Sequence, residues 1–268
     1  MERLLLLISL LLHVLLVSSA VSHNVPALYI FGDSIFDAGN NHCNQNCSAQ
    51  ADFPPYGSTG HYNIAAQFLG IPLQKPFLEA QIEIAKGSWK NYPSNGLNFA
   101  SAGSGVLRGT NQDLEVIPLQ EQLQQFKTLV DQSRIDIKLA QQSLFFLESG
   151  SNDIFNYFLP FDTPKLSPDA YVQAMLVEAG LFVDQIYKLG ARHIAIFSLG
   201  PVGCVPARTL LPDASVDRCF GKMNRMVKSF NEGLESLALD ILKMYPGAIG
   251  VYGSVYNVVQ LFRAMPKR

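Results

Sequence analysis

The sequence predicts an α/β protein with three layers, helices on both faces of a mostly parallel five-stranded sheet. Three observations predict it. Five short apolar runs read as buried strands: Ala27–Phe31, Leu97–Ala100, Leu144–Leu147, His193–Phe197 and Ala248–Tyr252. Amphipathic helical stripes lie between several of them. Gly, Ser and Asn gather just after the strands, where open α/β sheets carry their sites.

The elements follow in chain order. Met1-Glu2-Arg3 precedes a leucine-rich run from Leu4 to Val17, and Ser18-Ser19-Ala20 offers small residues for cleavage. The run is short for a bilayer span of about 20 residues, so 1–20 reads as a secretory signal peptide and 21–268 as one domain. No second apolar stretch of spanning length follows, so no stable membrane anchor is expected. The first strand leads into Gly32-Asp33-Ser34. After Pro118, Leu119, Leu123, Phe126 and Val130 mark one helical stripe. Val172, Met175, Ala179, Val183 and Ile186 mark a second, stopped by Gly190. Met223, Val227, Phe230, Leu234, Leu237 and Ile241 mark a third, stopped before Pro246-Gly247. There is no internal repeat or low-complexity tract.

Composition narrows the function classes. Of 268 residues, 48% are hydrophobic and 16% charged, enough apolar material for one large core. The formal net charge is -2, and Lys and Arg are neither in excess nor clustered, which argues against a nucleic-acid partner. The four cysteines, on an exported chain, suggest disulfides. Three connectivities are open. Two local bridges, Cys43–Cys47 and Cys204–Cys219, are favoured because each pair sits in one loop-like segment. The spacings match no ordinary zinc signature, so no metal is expected. Asn46-Cys47-Ser48 is a glycosylation sequon, making Asn46 a candidate acceptor.

Ser34 stands where a nucleophile suits the fold, just past the end of a buried strand. A serine hydroxyl needs a base, usually a His held by an acid, and donors aimed at the oxyanion formed on attack. Ser34 N–H, Gly103 N–H and the Asn152 side-chain amide fit that donor set, one from each of three post-strand loops. Plainer readings exist for each. Gly-Asp-Ser is also a common turn, and Ala100–Gly105 is also a packing turn. Gly103, Gly105 and Gly109 are wrongly spaced for a dinucleotide loop, and Asn152 is also placed to cap a helix. Asp33 and Asp37 are better read as turn-ordering residues than as a metal pair.

Together "FGDSIFDAGNN", "NFASAGSG", "GSNDIFNYF" and "LGPVGCVP" resemble the plant-type GDSL esterase/lipases of the SGNH hydrolase superfamily. The resemblance runs from about Val25 to Tyr256, with Ile35 in place of the usual Leu. It implies a flavodoxin-like fold and hydrolysis of carboxylic esters of lipid or other acyl substrates, without metal or cofactor. On the matching positions it implies Ser34 as nucleophile and first oxyanion donor, Gly103 as second donor and Asn152 as third.

Two features depart from the family. The Asp-x-x-His that supplies the triad acid and base is not found in "VYGSVYNVVQLFRAMPKR", and the chain reads as truncated there. The stretch Tyr56–Ile64 lacks the family's "PTGRFSDGR"-like sequence. The other histidines do not replace the missing base: His23 lies in the N-terminal tail, His42 in the cysteine loop, His61 beside the apparent gap and His193 at the start of a strand. The expectation is a secreted serine ester hydrolase acting through Ser34. The alternative is an inactive acyl- or glycan-binding protein, or a splice product without a role of its own. Apolar surface near the last strand is expected to be left uncovered.

Overall fold

The computed structural model describes residues 25–53, 61–160 and 166–265; the expected signal peptide lies outside them. In chain order the elements are β1 (Leu28–Gly32), α1 (Asn40–Cys43), α2 (His61–Leu69), β2 (Lys75–Pro76), α3 (Phe77–Ala85), β3 (Leu97–Asn98), α4 (Leu119–Asp131) and α5 (Ile137–Gln142). Then come β4 (Leu144–Glu148), α6 (Ser151–Tyr157), α7 (Pro168–Lys188), β5 (His193–Phe197), α8 (Gly221–Met244), β6 (Ile249–Gly253) and α9 (Val255–Ala264).

All pairings are parallel, and the order is β2-β3-β1-β4-β5-β6. Without β2, the five longer-range strands run in the flavodoxin order, with β1 at the point where the winding reverses. The five expected strands are present within a residue or two. The sheet has a sixth, Lys75–Pro76, two residues long at the edge beside β3. A two-residue strand ending in proline carries no alternation to read, and an edge is where a strand tolerates proline.

The helices begin and end where local chemistry dictates. Pro118 precedes α4, and Ser167 Oγ caps α7 by accepting from Ala170 N–H, with Pro168 in the first turn. Gly190, at φ +110°, ends α7 in a conformation that favours glycine. In α4 the buried stripe is Leu119, Leu123, Phe126 and Leu129 rather than Val130.

Successive strand residues face opposite sides, so β1 feeds two cores. Tyr29 and Phe31 join Phe99, Phe126 and Phe145 in an aromatic cluster with centroid spacings of 5.0–6.0 Å, beneath α4, α7 and α8. Leu28 and Ile30 face a smaller cluster of Phe36, Ala100, Phe146 and Ala195, against which Leu69 of α2 packs. This second layer is thin. On β6, Ile249 and Val251 are 52% and 55% exposed, and α9 exposes Val258, Leu261 and Phe262. The uncovered apolar surface expected near the last strand is therefore present. On the other face Gly250 lets α8 press directly on β6; a Cβ there would stand 2.1 Å from the Ala238 carbonyl oxygen.

Phe126 is fully buried against four aromatic rings. Phe126→Ala should lower the unfolding free energy by about 3–5 kcal/mol in a urea titration.

Candidate active site

The site grows from the carboxyl end of β1. Gly32 has φ +152°, and a Cβ there would lie 2.1 Å from the Glu148 carbonyl oxygen, so the position favours glycine. Three donors converge on its carbonyl: Ser101 N–H at 3.0 Å, Ser104 Oγ at 3.0 Å and Gln122 Nε2 at 3.0 Å. Gln122 Oε1 accepts in turn from Gly32 N–H at 3.0 Å. The Gln122 side chain thus pairs with Gly32 as a neighbouring strand would.

Asp33 and Ser34 follow in a tight turn. The Asp33 carbonyl accepts from Phe36 and Asp37 N–H, and its Oδ1 accepts from Ile35 N–H at 3.0 Å. Asp37 then ties this loop to the next one. Its Oδ1 takes Gly39 and Asn40 N–H, each at 2.8 Å, and its Oδ2 takes Ala102 N–H at 2.8 Å. Both aspartates order turns, as their positions suggested. Among the described residues no cluster of three or more His, Cys, Asp or Glu could hold a metal.

The asparagines of "DAGNN" brace the loop after β3. Asn40 Nδ2 donates to the Asn98 and Ala100 carbonyls at 2.8 and 2.9 Å. Asn41 Nδ2 donates to Ala102 O at 2.8 Å, and its Oδ1 accepts from Ser101 Oγ. In a trans peptide the C=O and the next N–H point opposite ways. By fixing Ala102 C=O, Asn41 aims Gly103 N–H away from itself. Gly103 sits at φ +81°, and its own carbonyl accepts from Asn111 Nδ2 at 2.7 Å. Neither Gly103 N–H nor Ser34 N–H has an acceptor among the described residues.

Asn152 lies in the first turn of α6, whose cap position is Gly150 rather than Asn152. Its Nδ2 donates to Ser104 O at 2.9 Å, which leaves the second amide hydrogen uncommitted. Ser104 also holds Gly32, so the three predicted residues sit on neighbouring loops stitched together through Gly32, Ser104 and Asn152. Asp153 anchors the same loop from the other side, with Oδ2 on Val106 N–H and Oδ1 on Leu107 N–H and Thr110 Oγ1.

The ground beneath these loops is acidic and buried. Burial pushes the Asp33 carboxyl up to about 6. Burial, and then the neighbouring Asp33 charge, push Glu148 well above the usual carboxylate range. Burial also raises Asp37 and Asp153, despite the N–H donors around each.

No histidine ring among the described residues contacts Ser34. His42 Nδ1 pairs with Asp52 Oδ2 at 3.3 Å, largely in solvent. His193 opens β5 at the opposite edge of the sheet, in register with Leu144 and Ile249. His23 and the His61 side chain lie outside the described residues. Cys204 and Cys219 form a disulfide that ties the loop after β5 to the start of α8. The bridge expected between Cys43 and Cys47 is not formed, and both thiols are free. Cys43 ends α1, whereas the buried Cys47 Sγ turns inward and donates to Ala49 O at 3.5 Å. Asn46 is exposed.

Sequence reading missed Gln122 and Glu148. Gln122 shares the buried helix face with Leu119 and Phe126, and a polar residue at that phase was the available signal. Glu148, the one acid on an otherwise apolar strand, was another.

The molecule is thus an α/β protein with one composite polar site at the carboxyl edge of its parallel sheet, beside a serine turn. The chain belongs to the GDSL-like lipase/acylhydrolase family, whose profile matches residues 28–258, and its class is that of the carboxylic ester hydrolases. It is 58% identical over 260 residues to GDSL esterase/lipase 6 of Arabidopsis thaliana, covering 92% of this chain and 71% of that protein. A second Arabidopsis GDSL esterase/lipase is 31% identical over 251 residues, covering 87% of this chain and 70% of its own length. A crystal structure from Parabacteroides merdae, described as GDSL-like, aligns at 14% identity over 84% of this chain and 88% of its own, with a TM-score of 0.32.

Gln122→Leu leaves the Gly32 N–H, Gly32 C=O and Ile117 C=O each short of a partner. It should cost about 1–3 kcal/mol of stability by urea unfolding.

Proposed function

We propose that the chain is an exported serine ester hydrolase that cleaves carboxylic esters of lipid or other acyl substrates. One observation carries this reading: Ser34 N–H, Gly103 N–H and one Asn152 amide hydrogen are uncommitted donors on adjacent loops, beside a half-buried serine whose hydroxyl has no partner among the described residues. In the proposed reaction Ser34 Oγ attacks the acyl carbon, and the carbonyl electron pair moves onto oxygen. The three donors hold that oxyanion. The alcohol leaves with a proton, and water then releases the acid from the acyl-serine. Export is supported by the N-terminal leucine-rich pattern, the disulfide and the exposed sequon at Asn46. No described helix is long and apolar enough to cross a membrane.

The proton acceptor for Ser34 is not among the described residues. A second reading is an acyl-binding site without turnover. A serine hydrolase stripped of triad members keeps only a residual rate, about 10³–10⁴-fold over water.

Hydrolysis of a short p-nitrophenyl ester by the purified chain, measured beside Ser34→Ala, separates the readings. Turnover that drops to the buffer rate in Ser34→Ala is expected. Turnover unchanged in Ser34→Ala removes Ser34 as the nucleophile. Saturable fatty-acyl binding with no turnover in either protein establishes the second reading.

A further inference from the structure

We propose that Glu148 is a positioning residue for the serine turn: its buried carboxyl holds a proton and donates it to Asp33, and this acid–carboxylate pair sets the turn that presents Ser34. The proposal deepens the reading of Ser34 as nucleophile and rests on it.

Glu148 closes β4 directly opposite Gly32 in the parallel register. It ends an otherwise apolar strand, Leu-Phe-Phe-Leu-Glu, yet is only 4% exposed, and Asp33 is 1% exposed. Burying one carboxylate without compensation is costly, and burying two together is worse. Among the described residues no cation is recorded acting on either carboxyl. The charged groups acting on Asp33 are Glu148 and Asp153 of α6, and the one acting on Glu148 is Asp33.

The hydrogen-bond inventory points to one shared proton. Asp33 Oδ1 is satisfied by Ile35 N–H. Asp33 Oδ2 and Glu148 Oε2 are buried and have no donor among the described residues. In the parallel register Glu148 lies opposite Gly32, next to Asp33, and each of the two buried carboxyls acts on the other. Two ionised carboxylates cannot satisfy each other, because both only accept. A proton on Glu148 turns one acceptor into a donor. Glu148 is the better holder, since Asp33 already has the Ile35 N–H to stabilise its charge.

The pair lies where it controls geometry. Asp33 organises the turn through both its carbonyl and its carboxyl. Glu148 reaches it from the adjacent strand, four residues before Asn152. The Glu148 bond therefore fixes the serine turn against the strand that leads to the third oxyanion donor.

The pH dependence has a defined sign. Both carboxyls bind protons more readily in the folded chain than when unfolded, so the pair's contribution to stability is complete at acid pH and is lost as pH rises. For Asp33 the loss runs from 3.8 to about 6. For Glu148 it begins at 4.5 and continues upward. Burial raises Asp37 and Asp153 as well, so they slope the same way.

The test uses the purified full chain with isotope-labelled glutamate, together with Glu148→Gln, Glu148→Leu and Ser34→Ala. Infrared difference spectra at neutral pH should show the carbonyl stretch of a protonated glutamic acid, absent from Glu148→Gln. Amide exchange across Gly32–Asp37, corrected for intrinsic rates, should stay within about twofold of wild type in Glu148→Gln, whose amide still donates to Asp33. It should speed up about tenfold in Glu148→Leu. Wild type should lose protection as pH rises, and Glu148→Gln should lose that step. A missing acid band, or a Gln variant as loosened as the Leu variant, overturns the proposal. Fluorophosphonate labelling that persists in Ser34→Ala removes the nucleophile reading instead, while the infrared and exchange results still judge the pair.

Discussion

The packing of Gly32 against β4 is the constraint on which the rest of the site depends. With no Cβ, β1 can end flush beside the Glu148 backbone. Its carbonyl then becomes the shared acceptor for the loop after β3 and for α4, through Ser101, Ser104 and Gln122. A loop and a helix far from β1 in the chain are held to one carbonyl, and Ser104 carries the link on to Asn152. A side chain at this position would separate β1 from β4, and the serine turn would lose its reference point.

Where the strands stop, side-chain amides take over the work of the ladder. Buried peptide groups beyond the last strand pair would otherwise have no partner. Gln122 serves Gly32, Asn40 serves Asn98 and Ala100, and Asn41 serves Ala102. Asn231 of α8 does the same for Leu199 after β5, accepting its N–H and donating to its carbonyl. These bonds orient specific peptide planes as well as stabilising them. The aim of Gly103 N–H follows from the capture of the Ala102 carbonyl.

The electrostatic setting limits what the site can use. Asp33, Asp37, Glu148 and Asp153 are all buried near it. In the proposed reaction fixed negative charge would oppose an oxyanion nearby, so stabilisation would come from oriented N–H dipoles. Their strength grows as water is excluded. A proton kept on Glu148 lowers the negative charge beneath the turn, which links the pairing of two acids to the neutrality that the donors need.

Much of this was legible in the sequence. The strand runs, the helical stripes and the glycine-marked turns are local patterns, set by side-chain period and backbone preference within a few residues. They placed the sheet, and they placed Ser34, Gly103 and Asn152 just past strand ends. The two-residue edge strand at Lys75–Pro76, the free thiols of Cys43 and Cys47, and the roles of Gln122 and Glu148 were not legible. Gln122 meets Gly32 across 90 positions, and Glu148 meets Asp33 only because β4 inserts beside β1. The pattern could mark Gln122 and Glu148 as buried polar residues, but not name their partners. The sequence by itself determined the five longer strand runs, the three long helical stripes and the polar strand-end turns, because those choices are local. The tertiary structure alone decided which buried polar groups satisfy one another, because that depends on which strand ends become neighbours.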